Sequence, residues 1–118
     1  MVEPTSSRKM RPIFAAHLDL SWNAIQWDRD LTLPLEQARA DEAHMTDHPA
    51  RGRGTVTLPE LRRAGVAVCL ATMLARAKPG LRPAEGFDRR ALDFNTQAAA
   101  YAMARGQLAY YELLAAQG

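Results

Sequence analysis

The chain has a single cysteine, Cys69, so it lacks a partner for an internal disulfide, and no Cys-x-x-Cys pair or Cys/His finger spacing occurs. A disulfide-stapled fold and a zinc finger are excluded, and the cysteine usage suits a reducing compartment. Long apolar runs are equally scarce. No stretch approaches the roughly 18 residues of a membrane span. Ile13-Phe14-Ala15-Ala16 follows several basic residues as in a secretory leader, but His17 and Asp19 interrupt it. An apolar region of about 7–15 residues therefore does not form. A soluble, cytoplasmic protein without a membrane span is expected. An excess of one charge is also missing: 15 Lys and Arg against 13 Asp and Glu leave +2. Such a small field does not point to nucleic acid as a partner.

What is present is an ordinary globular composition, 47% hydrophobic and 24% charged over 118 residues, enough for one domain with a core. Residues 1–11 read as a flexible N-terminal tail. Ile13 to Leu20 has the length and flanks of a buried strand, and its polar residues come at the far end. In an extended strand His17 and Asp19 share one face while Leu18 and Leu20 take the other. Ser21 to Asp28, with Trp22, Ile25 and Trp27, suits one or two helical turns. Leu35 to Ala43 suits a short helix started by Pro34. His44 to Thr57 is turn-rich and reads as a loop.

Thr57 to Gly65 reads as a compact helix with Thr57 as N-cap, Glu60 as its capping-box partner and Gly65 as the stop. Val66 to Met73 is almost continuously apolar, as in a parallel strand covered on both faces. Lys78 to Gly86 is a second loop, and Asp88 to Ala116 carries the strongest helical pattern. The order β, α, β, α implies parallel strands joined by crossovers. Two strands make a very small sheet for a strand that asks for cover on both sides. Assembly with further copies, or membership of a larger α/β domain, would supply it.

His17-Leu18-Asp19 is the most pointed chemical feature, because an imidazole and a carboxylate on one face at the end of a strand can clamp Zn²⁺ or a similar ion. The bland alternative is a hydrogen-bonded surface pair. His44 and His48, four apart with Asp41 and Asp47 nearby, read as solvated loop residues, since Thr46, Asp47 and Pro49 favour a turn. One of them could still serve as a third ligand beside His17 and Asp19. Arg51, Arg53, Arg62 and Arg63 form a basic cluster that could touch a phosphate or carboxylate but reads as a solvated face. Trp22 and Trp27 either line the mouth of a site beyond the metal pair, with Trp22 touching substrate, or cover the core. Cys69 reads as an inert buried thiol within a strand. Tyr101, Met103, Tyr110 and Tyr111 read as packing residues.

The stretch Pro12-Ile13-Phe14-Ala15-Ala16-His17-Leu18-Asp19-Leu20-Ser21-Trp22 resembles the opening strand of the membrane (renal) dipeptidase family of zinc peptidases, an apolar strand ending in His-x-Asp-Leu-x-Trp. Thr57-Leu58-Pro59-Glu60-Leu61-Arg62-Arg63-Ala64-Gly65-Val66 is similar to that family's helix leading through glycine into its second barrel strand. The final helix, with Gln107, Leu108 and Tyr111, is similar to the helix after that strand. The resemblance implies the first two βα units of a (β/α)8 TIM-type barrel of metal-dependent hydrolase type, with residues 12–118 as the N-terminal part of the barrel domain. It implies two zinc ions in the complete barrel, His17 and Asp19 as ligands of the more buried one, and a metal-activated water hydrolysing a dipeptide substrate. The bridging Glu, two further His ligands and the acid assisting proton transfer have no matched position. No catalytic residue is assigned within the chain, which is expected to be inactive alone. The alternative is a non-catalytic small α/β protein that self-associates or binds a partner.

Overall fold

Ile13–Leu18 forms strand β1 and Val66–Ala71 forms strand β2 in the computed structural model, which describes Lys9 and residues 11–118. The expected tail over residues 1–11 therefore falls, Lys9 and Arg11 apart, outside the described residues. The two strands pair in parallel, with Ile13 opposite Val66, Phe14 opposite Val68, Ala15 opposite Cys69 and Leu18 opposite Ala71, and with two irregularities in register. A parallel pair needs a crossover. Here it consists of α1 (Leu20–Ile25), α2 (Leu35–Glu42) and α3 (Leu58–Ala64), with the segment between α2 and α3 irregular as its composition implies.

α3 ends where Gly65 adopts a left-handed conformation, φ 78°, which a residue without Cβ takes at no steric cost, and β2 begins at the next residue. The expected capping box does not form. Thr57 stands at the N-cap in an extended conformation, but its side chain makes no capping bond and its buried hydroxyl has no partner among the described residues. Glu60 instead pairs with Arg63 one turn further on, at 2.5 Å. A local ion pair has displaced the reciprocal cap.

The pattern from Asp88 predicts helix, yet α4 spans Gln97–Gln117. Asp93–Phe94 is extended as β4 and pairs in parallel with β3, Arg76–Ala77. Arg76 also meets Asp93 at 2.7 Å, and Lys78 meets it at 3.3 Å. These hydrogen bonds and opposite charges hold the stretch extended until Thr96, whose hydroxyl accepts from the Ala99 amide and caps α4.

The described residues are mixed α/β: a two-stranded parallel sheet, a two-residue strand pair and four helices. No helix among the described residues is long and apolar enough to cross a membrane. The buried apolar side chains are few, Leu20, Trp27, Leu31, Phe94 and Ala100, and they are joined by as many buried polar ones, Ser21, Gln26, Glu42, Thr57 and Gln107. The β1–β2 sheet has little cover: Phe14, Val68 and Leu70 are 70%, 52% and 66% exposed, and Ile13, Ala67 and Ala71 are exposed as well. The cover that β2 asks for on both faces is not supplied by the described residues.

Candidate functional site

β1 and β2 run in the same direction and stop at the same level, because Leu18 pairs with Ala71. The first residues beyond them, Asp19 and Thr72, are consequently neighbours. The Thr72 hydroxyl hydrogen-bonds the Asp19 carboxylate and lies 3.1 Å from the Leu18 carbonyl oxygen. Thr72 is in turn fixed from below: its own carbonyl accepts from the Tyr111 hydroxyl at 2.8 Å and from the Ser21 hydroxyl at 3.2 Å. The Tyr111 oxygen also accepts from the Ser21 amide. Tyr111, expected only to pack, thus ties α4 to the ends of both the strand and the first helix.

His17 lies within β1 and is exposed, whereas Asp19 has left the strand and stands at the N-cap of α1. Their shared face is therefore not that of one extended strand, because the backbone turns at Asp19 to begin the helix. Both nevertheless line a single cavity of about 270 Å³ at the C-terminal end of the strands. Asn23, Arg29, Arg53 and Thr55 contribute to the same wall. Asn23 donates to the Asp19 carbonyl at 2.9 Å and accepts from Arg29 at 2.8 Å, so one side chain links the capping turn to the guanidinium behind it.

An imidazole and a carboxylate bordering one space are donors that suit zinc, and the Thr72 hydroxyl is the kind of partner that orients a ligating carboxylate. Two donors are fewer than the three protein ligands of a catalytic zinc site. Among the described residues no group of three or more His, Cys, Asp and Glu side chains is placed to hold a metal. His44 is exposed on the turn after α2. His48 is held elsewhere: its Nδ1 accepts from the Ala50 amide at 3.0 Å and its ring meets Trp27 edge-on at 4.8 Å. A third ligand from these two histidines is not formed.

The tryptophans do not border the His17–Asp19 cavity. Trp27 is buried, with the guanidinium carbons of Arg29, Arg90 and Arg51 lying 4.5, 5.1 and 5.2 Å from its ring centre. Trp22 packs against it at 5.8 Å and donates to the Arg90 carbonyl. Both rings, with His48, Asp88 and Arg90, border a separate, open depression. The Arg90 side-chain hydrogen bond pulls the Asp88 carboxyl at this rim down to about 2.

The basic cluster also divides. Arg53, Arg62 and Arg63 are exposed as expected, but Arg51 is a correction: its side chain is 10% exposed and bridges Glu42 and Asp47. It also donates to the Trp27 carbonyl at 2.6 Å. A carboxylate brought from α2 makes its burial tolerable, and no local pattern announces such a partner. Thr72 and Asn23 were invisible for the same reason, although a polar residue ending the second apolar run is a signal that places Thr72 beside Asp19 once the strands are paired in parallel. No family model matches the chain, and no curated protein or solved structure matches it either.

Proposed function

We propose that this chain is the opening portion of a zinc-dependent dipeptidase of the membrane dipeptidase type, contributing the first two βα units of a (β/α)8 barrel. The observation that carries the proposal is that His17 and Asp19 line one cavity at the C-terminal end of a parallel strand pair. That end is where barrel enzymes build their sites. The sparse cover of the apolar sheet supports it as well, since strands of a closed barrel are covered on both sides. In this reading His17 and Asp19 hold the more buried of two zinc ions, Thr72 orients Asp19, and the remaining ligands come from later strands. Zinc so held would supply a coordinated water of lowered pKa and polarise the scissile carbonyl of a dipeptide. With two ligands rather than three, the first two units alone are inactive.

The same sparse cover, with Phe14, Val68 and Leu70 exposed, favours the second reading, a non-catalytic α/β protein that self-associates. Zinc titration of the purified chain, with size exclusion in the same buffer, separates the two. Changes to groups that merely orient metal ligands cost about 10–100-fold in affinity, so His17→Ala and Asp19→Asn should each weaken zinc binding by at least about tenfold. Binding unchanged in both variants, in a chain that elutes as an oligomer, would favour self-association and sink the dipeptidase reading.

A further inference from the structure

We propose that Arg53 is the anion receptor of the His17–Asp19 cavity and takes a carboxylate of the bound substrate; the assignment of that carboxylate to a peptide rests on the dipeptidase reading. Two arginines line the cavity, Arg29 and Arg53. Arg29 is fully engaged: it pairs with Glu42 at 2.6 Å and donates to Asn23 and to the Ala50 carbonyl. Arg51, the neighbouring arginine of the loop, is spent on Glu42, Asp47 and the Trp27 carbonyl. Arg53 differs from both. Among the described residues its guanidinium has no carboxylate or carbonyl partner, and it is exposed at the cavity wall.

The backbone beneath it is fixed on both sides. Arg51 anchors the loop before it, the Arg53 amide donates to the Ala50 carbonyl at 3.2 Å, and Arg39 donates to the Gly54 carbonyl at 2.7 Å. Gly52 makes the turn at φ 73°, a left-handed conformation that disfavours any side chain. A loop tied down at each end thus carries one uncommitted arginine at the wall of a cavity whose other arginine is already matched. The planar fork of a guanidinium matches a carboxylate with two parallel hydrogen bonds, and presenting it from an anchored loop reduces the ordering cost of binding. Placed on the wall shared with His17 and Asp19, it would hold the charged end of a small substrate while its other end faces the metal ligands.

The test uses N-acetylglycine and its uncharged counterpart N-acetylglycinamide, titrated into the metal-free chain and followed by NMR shifts. The acid should bind at least about tenfold tighter than the amide. Arg53→Gln should erase that preference. Arg53→Lys, which keeps the charge but not the fork, should retain part of it. Arg105→Gln, a loss of the same charge on exposed α4, should retain all of it. Equal binding of acid and amide by the unaltered chain, or a preference that survives in Arg53→Gln, would overturn the proposal. An Arg53-dependent preference in a chain whose zinc binding ignores His17 would keep the anion site and remove the dipeptidase reading. His17-dependent zinc binding without an Arg53-dependent preference would do the reverse.

Discussion

Replacing Glu42 by glutamine is expected to destabilise the folded chain by about 3–5 kcal/mol, the usual cost of breaking a buried ion pair from one side. The Glu42 side chain is 5% exposed and receives Arg29 at 2.6 Å and Arg51 at 2.9 Å, each of them 10% exposed. Those two arginines hold the Trp27 carbonyl, the Ala50 carbonyl and Asn23, and both lie over the Trp27 ring. Without the carboxylate, Arg29 loses its ion-pair partner and Arg51 keeps only the more exposed Asp47, so two nearly buried guanidiniums crowd one aromatic ring with a single carboxylate to offset them. Glutamine keeps the shape and removes only the charge, so urea unfolding of Glu42→Gln isolates the electrostatic part. Glu60→Gln is the comparison, because its partner Arg63 is exposed and screened by solvent. It should leave the midpoint unchanged.

The same group sets an acid limb. Burial works to raise the Glu42 pKa, but hydrogen bonds and charge from Arg29 and Arg51 outweigh it and hold the carboxyl below its ordinary value of 4.5. A depressed folded-state pKa contributes stability that is complete above the unfolded value and is lost as pH falls through the folded one. The unaltered chain should therefore lose stability below about pH 4.5 more steeply than Glu42→Gln. Parallel curves for the two proteins would show that Glu42 is not the group titrating.

Gln107→Leu should cost about 3 kcal/mol or more, because it strands several buried polar groups at about 1–3 kcal/mol each. Gln107 is 0% exposed on α4. It accepts from the Leu74 amide at 2.6 Å, donates to the Leu74 carbonyl at 2.9 Å and donates to Gln26 at 3.0 Å. Gln26 passes the connection on, donating to the Ala91 and Arg89 carbonyls at 2.7 and 3.1 Å. Two glutamines thus tie together the residues after α1, the stretch leaving β2, the approach to β4 and the last helix. Leucine fills similar space with nothing to donate or accept. A lower urea midpoint at constant slope is expected. The double variant Gln26→Leu, Gln107→Leu should fall short of the sum of the singles, since each single already breaks the shared bond.

These buried polar groups also mark where sequence reading reached its limit. β1, β2 and α3 were legible because apolar runs flanked by Pro12 and Gly65 leave few alternatives for chains of that length. The helical pattern starts at Asp88, nine residues before α4 begins at Gln97. Leu92 stands seven residues before Ala99, a spacing that keeps one helix face, but pairing of Asp93–Phe94 with Arg76–Ala77 depends on residues seventeen positions away. Thr96, with its capping hydroxyl, was the local signal for the true start. Glu42, Arg51, Gln26 and Gln107 look like ordinary solvent-facing residues of polar or mixed segments. Only the tertiary partner makes them interior. The candidate site divides in the same way: His17 and Asp19 stood out by type and spacing, whereas Thr72, Asn23 and Arg53 gain meaning only from what the parallel pairing brings beside them.

The most direct measurement is X-ray absorption at the zinc edge of the zinc-loaded chain, read for the multiple-scattering signature of a coordinated imidazole and repeated on His17→Ala. If His17 and Asp19 form the metal end of the cavity, the imidazole signature is present in the unaltered chain and absent from His17→Ala, with oxygen ligands remaining. An imidazole signature that persists in His17→Ala would place the metal on His44 or His48 and contradict the assignment.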